Sequence, residues 1–177
     1  MIEPRGEFQR FAVDVYGRDG VATASVLLQD RYGVDVNVLL LATYVGAVER
    51  SAFTDDELAA AVARTGQWRR DVVGPLRAVR TLLKDGPPPA PNAATVALRN
   101  RIKAVELDAE MIELDELADV AHHLEAPAAP GGADERATAA MHVVLRHSAS
   151  HEPTDEERNA IAVIASAAAR SGEGMGT

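Results

Sequence analysis

Cysteine is absent from all 177 residues. No disulfide can form, and thiol, zinc-ribbon and iron–sulfur chemistry are excluded with it. Aromatic residues are scarce as well. Three Phe, three Tyr and one Trp make 4% of the chain, so aliphatic side chains and alanine must supply the core. No apolar run reaches the roughly 18 residues that a membrane span needs. The opening residues, MIEPRGEF, lack the apolar stretch of a signal peptide. No membrane partner is expected, and the cytoplasm is the expected compartment. Positive charge is in short supply: 18 Lys and Arg face 27 Asp and Glu, for a formal net charge of −9. A general nucleic-acid binder needs a basic surface, so nucleic acid is not an expected partner either. Also missing is any polar/apolar alternation long enough for a convincing strand.

What remains is an all-α chain of one-domain length, able to bury a core without cross-links. Seven helices are predicted, with an eighth segment behind them. The first covers about 7–16, with Phe8, Phe11, Ala12 and Val15 at helical spacing. The second covers about 21–32 and ends at Gly33. Asp35 then caps a third, 36–50, whose VNVLLLATYVGAV is apolar around its circumference and belongs at the centre of the bundle. Thr54 and Glu57 form a capping box for a fourth helix to about Arg64. A fifth runs about 67–84, with a kink or break at Gly74-Pro75. Beyond the proline-rich 86–91, the longest helix covers about 94–124. A linker at 126–134 leads to a seventh helix, about 135–147. A second capping box, Thr154 to Glu157, opens the eighth segment, to about 170. The expected organisation is a six-helix bundle core over 1–125, a one- or two-helix C-terminal extension over 135–170, and a disordered tail over 171–177. Charge divides along the chain: residues 1–88 carry −1 and residues 89–177 carry −8.

The fifth helix places Trp68, Val72, Leu76, Val79 and Leu83 on one stripe and Arg70, Arg77, Arg80 and Lys84 on another. Four cations in a row repel. They can be solvated, face carboxylates, or hold an anion. The long sixth helix offers carboxylates: Glu106, Glu110 and Glu113 lie within a broad apolar face, where an unpaired charge is costly. These glutamates should be paired, neutral or metal-bound, with Glu106 and Glu110 meeting Arg77 and Arg80. Asp119-x-x-His122 is a weak metal pattern, because no second Glu-x-x-His exists to complete a di-metal site. No metal or other cofactor is therefore expected. All five histidines fall between 122 and 151 and are expected near helix ends. Asn37 falls in the first turn of the apolar third helix and needs partners, with Gln29 and Asp30 as candidates. Nucleophile-elbow, P-loop, dinucleotide and zincin motifs are all missing. A Glu/Arg acid–base pair has no short-motif signature, so whether the chain is an enzyme stays open.

Two blocks carry a resemblance. One is Leu28-Gln29-Asp30-Arg31-Tyr32-Gly33-Val34-Asp35-Val36-Asn37-Val38-Leu39-Leu40. The other is Pro75-Leu76-Arg77-Ala78-Val79-Arg80, following Trp68-Arg69 and followed later by Glu106-Leu107-Asp108-Ala109-Glu110. Over about residues 7–120 the chain resembles a bacterial family of small conserved hypothetical proteins, a domain of unknown function. Where that pattern places a tryptophan early in the first helix and another in the third, this chain has Phe8 and Tyr44. The segment after 125 has no counterpart there. The resemblance implies a cytoplasmic helical protein and supplies no activity. It draws attention to Gln29, Asp30, Asp35, Asn37, Trp68, Arg77, Arg80, Glu106 and Glu110. Two functions follow as expectations. The favoured one is a non-catalytic interaction or regulatory module for a protein partner, using the acidic C-terminal half or an exposed helix groove, with a contiguous exposed apolar patch and a glutamate–arginine network closed to solvent. The other is a binder of a small, anionic ligand, or an enzyme, with those nine residues around one cleft.

Overall fold

The computed structural model describes residues 2–123, 128–149 and 151–175. In chain order the elements are α1 (Glu7–Tyr16), α2 (Val21–Tyr32), α3 (Val36–Ala47), α4 (Asp55–Trp68), a π turn (Arg69–Val73), α5 (Gly74–Asp85), α6 (Ala93–Ala121), α7 (Ala133–Ser148) and α8 (Asp155–Met175). No strand occurs among the described residues. The bundle is all-α, as the composition requires.

Local chemistry sets the boundaries. Gly33 ends α2 at φ +68°, a conformation that costs glycine little. Asp35 accepts from the Asn37 N–H at 2.9 Å and starts α3. At the head of α4, Glu57 Oε2 accepts from the Thr54 N–H at 2.8 Å while Thr54 Oγ1 accepts from the Glu57 N–H. Thr154 and Glu157 repeat that box at the head of α8.

α3 lies at the centre. Every residue from Val38 to Ala47 is buried, which its lack of a polar face demanded. Tyr44 packs between Phe8 and Phe11, with ring centroids 5.3 and 5.2 Å away. α7 lies against α3 closely enough that a Cβ on Gly46 would stand 2.6 Å from the Arg136 carbonyl oxygen. Ala137, Met141, Val144 and Leu145 of α7 join the same core, as do Ile161, Ile164 and Ala168 of α8.

Several boundaries differ from the sequence reading. α3 stops at Ala47 rather than residue 50, and Arg50 turns the chain with φ +56°. The two helices expected on either side of residue 65 are one rod running from 55 to 85. Its irregularity is the π turn, where the Gly74 N–H bonds Arg69 O five residues back. Proline has no N–H to donate, and the wider turn ahead of Pro75 accommodates that loss without stopping the rod. The long helix ends at Ala121, short of 124, and residue 124 itself lies outside the described residues, as do 126 and 127 of the linker. α8 runs to Met175, so 171–175 of the expected tail are helical. Residues 176 and 177 lie outside the description.

α5 and the first half of α6 leave the bundle as a hairpin. No residue from Gly74 to Val105 is buried. The first fully buried side chains of α6 begin at Glu106. α5 packs on α6 and on the π turn. The stripe of five apolar residues predicted for this region is therefore only partly covered: Val79 is 45% exposed.

Candidate functional site

The hairpin is anchored by charge. Glu106, 4% exposed, lies where α6 enters the bundle and meets α5. Arg77 Nε donates to Glu106 Oε1 at 3.1 Å, and Arg77 Nη2 donates to Glu110 Oε1 at 2.6 Å. Arg80 grips the same carboxylate with two nitrogens: Nε reaches Oε2, and Nη2 reaches Oε1 at 3.1 Å. Gln29 of α2 closes the group, accepting from Arg77 Nη1 at 3.4 Å. Burial opposes the charge on Glu106, yet the two guanidiniums outweigh it and hold its carboxyl below the ordinary range. Glu110 has a single arginine, and burial pushes its carboxyl up.

A second polar group adjoins the first, where α3 and the π turn approach α6. Asp35 pairs with Arg69 Nη1 at 2.7 Å. Asn37 Nδ2 donates to Glu113 Oε2 at 2.8 Å. Glu113 is 1% exposed, and its Oε1 has no hydrogen-bond partner among the described residues. Burial, with the negative Asp35 beside it, pushes the Glu113 carboxyl up to about 8, so it is mostly neutral at pH 7. Between the two groups the Trp68 indole N–H donates to the Ala109 carbonyl at 3.0 Å, tying the rod to α6.

Of the nine residues singled out from sequence, Gln29, Arg77, Arg80, Glu106 and Glu110 share one network. Asp35 and Asn37 belong to its neighbour, and Trp68 bridges rod and helix. Asp30 stands apart, exposed on α2. The partner of Asn37 is Glu113, not Gln29 or Asp30, because the start of α3 faces α6. Arg70 and Lys84, placed on the basic stripe with Arg77 and Arg80, stay exposed. The π turn shifts the helical phase before Pro75 and takes Arg70 out of line.

Three participants are missing from that set of nine. Glu113 continues the Glu106/Glu110 stripe, and that spacing was its signal. Arg69 immediately follows Trp68, but its role depends on the π turn. Gln9 is wholly buried in α1. Its Oε1 accepts from the Arg5 and Gly6 N–H groups, at 2.6 and 3.1 Å. Its Nε2 donates to Met111 O at 3.1 Å and Asp115 Oδ1 at 2.5 Å. An isolated glutamine between Phe8 and Arg10 carries no comparable pattern.

A cavity of about 110 Å³ opens beside Asp35 and Arg69, lined also by Gly33, Thr65, His147 and Ser148. It is small against the roughly 300–1,000 Å³ of drug-sized ligand sites.

The architecture is a helical bundle with a projecting hairpin locked to it by a half-buried arginine–glutamate network centred on Glu106. The chain belongs to the family described as a protein of unknown function, DUF2390, whose model matches residues 7–117. No curated protein and no solved structure matches it.

Proposed function

We propose that the protein is a non-catalytic interaction module whose projecting hairpin captures an acidic segment of a protein partner along its cationic edge. The observation that carries this reading is the charge of the hairpin. Residues 74–105 hold six Lys and Arg against one Asp, while the rest of the chain holds twelve against 26. Within the hairpin Arg77 and Arg80 are consumed by Glu106 and Glu110. The cations nearer the tip are not. Arg99, Arg101 and Lys103 form no ion pair among the described residues, and Arg99 Nε is buried without a hydrogen-bond partner. Lys84 reaches only its neighbour Asp85, at 3.9 Å. At 100° per residue, Lys84 on α5 and Lys103 on α6 fall on the same flank of the pair.

A protein segment fits better than a nucleic acid. The straight part of α6 within the hairpin, 93–105, is about 20 Å long. A longer polyanion would run onto a body that carries a large negative excess. The small-ligand reading has less in its favour: the strongest anion-binding forks, Arg77 and Arg80, already hold carboxylates, and the cavity near Arg69 is small.

Binding of a fluorescent oligoglutamate peptide and of a single-stranded oligonucleotide, read by anisotropy at low and high salt, tests the proposal. Salt-sensitive binding of the peptide, lost in Lys84→Glu/Lys103→Glu, is expected. No binding at low salt, equal binding by the variant, or tighter binding of the oligonucleotide would overturn it.

A further inference from the structure

The opposite flank of the hairpin has a different character. On α6, Leu98, Val105 and Ile112 recur every seven residues, which is nearly one face of a helix. They are 44, 50 and 40% exposed. In an antiparallel pair the matching flank of α5 lies on the same side, and it carries Val79 and Leu82, 45 and 59% exposed. One face of the hairpin is thus a line of uncovered aliphatic side chains, of the kind that marks an interaction surface.

The charges along α6 say what covers it. From 93 to 105 the helix has three cations, Arg99, Arg101 and Lys103, and no carboxylate. From 106 to 121 it has seven carboxylates and no cation. The sign changes between Val105 and Glu106, at the middle residue of the apolar line. Such a helix is complementary to itself when reversed. Laid antiparallel on a second α6 about a two-fold axis through Val105, it sets Val105 against Val105 and Leu98 against Ile112 of the other copy. Arg101 then faces the level of the other copy's Asp108. A parallel arrangement would put Arg101 against the other copy's Arg101 instead. An isologous two-fold contact is also the commonest way for one chain to cover its own patch.

We infer that the protein is a homodimer, joined by antiparallel packing of the two α6 helices about Val105. This uses the apolar flank and leaves the Lys84/Lys103 edge free, so it stands or falls apart from the acidic-partner reading.

The chain has no cysteine, so single introduced thiols report the geometry directly. Under mild oxidation Val105→Cys should cross-link to a disulfide dimer. Leu98→Cys alone should not, because it meets Ile112, whereas Leu98→Cys/Ile112→Cys should. Val26→Cys, exposed on α2, measures random collision. Sedimentation should give twice 18.8 kDa for the unmodified chain and the monomer mass for Val105→Asp, with unchanged far-ultraviolet circular dichroism. A monomer at every concentration tested, cross-linking of Leu98→Cys equal to that of Val105→Cys, or equal cross-linking of Val26→Cys would each overturn the inference. Retained oligoglutamate binding by monomeric Val105→Asp would show that the two surfaces act independently.

Discussion

Single side chains settle how the carboxylates of α6 coexist with an apolar interior. Three glutamates on one stripe find two solutions. Glu106 stays charged because two arginines grip it, and Glu113 is held neutral by burial and by Asp35. The second solution has a pH signature. Glu113 titrates near 8 in the folded chain and in the ordinary carboxylate range when unfolded. Below that ordinary range both states hold the proton and nothing changes. Between it and about 8 the unfolded chain releases a proton that the folded chain keeps, so this group's stabilisation is lost as pH rises. The slope is at most about 1.4 kcal/mol per pH unit. Glu113→Gln keeps the shape and an acceptor for Asn37 but has no proton to lose. Urea unfolding at pH 5.5 and 8.5 should show the wild-type losing stability relative to the variant on going to the higher pH. Parallel behaviour would mean that Glu113 is ionised throughout. The Glu106–Glu110–Glu113 stripe was legible in sequence because helical spacing puts all three on one side, and an apolar setting demands partners for them. Gln9 was not, since its four hydrogen bonds run to a turn and to a helix a hundred residues away.

At the level of the elements, intrinsic pattern predicted helices well and their joints poorly. α3 could be placed at the centre because it has no polar face. The α4–α5 rod read as one helix ending near Arg64 and a second from about residue 67, the second kinked or broken at Gly74-Pro75. The π turn is a register change within a continuous helix, and no local residue preference announces it. The hairpin was hidden for a related reason. Val79 keeps helical spacing with Leu76 and Leu83, and spacing cannot reveal that the neighbouring helix covers only part of the stripe. The close approach of α3 and α7 was equally invisible, but Gly46 now exposes it to test. A Cβ there would lie 2.6 Å from Arg136 O and 2.7 Å from Ala137 N, both backbone atoms. They cannot yield without moving α7. Gly46→Ala should destabilise the fold by about 1–3 kcal/mol through overpacking. That would lower the melting midpoint by several degrees in thermal circular dichroism. Gly172→Ala is the control: its Cβ would meet nothing closer than Val48 Cγ2 at 3.4 Å, and alanine suits a helix interior better than glycine. An unchanged midpoint for Gly46→Ala would show that α7 is not seated on α3 as described.

Across the whole molecule, charge and packing divide the chain in different places. The sequence splits into a near-neutral half and an acidic half at residue 88. In three dimensions the division is between a cationic hairpin and an anionic body, because α6 changes sign midway along its length. The family match ends at residue 117, which invites the view that the remainder is an appendage. Packing argues otherwise. α3 buries its whole circumference, and one side of that burial is provided by Ala137, Ala140, Met141, Val144 and Leu145 of α7. α8 covers α1 and α2 with Ile161, Ile164, Ala165 and Ala168. Without these helices, the face of α3 around Gly46 that α7 covers would lose that cover, at about 25 cal/mol for each Å² of apolar surface returned to water. A domain's net stability is only about 5–15 kcal/mol. A chain ending at His123 should therefore lose cooperative unfolding, even though it contains the entire family-matched segment. Trp68 is the sole tryptophan and lies at the joint between rod and α6, so its fluorescence reports the loss. In the full chain its emission should shift in one sharp step on urea titration. In the truncated chain it should drift from a red-shifted start without a midpoint. A sharp step in the truncated chain would mean that residues 7–117 carry their own core and that α7 and α8 are additions to it.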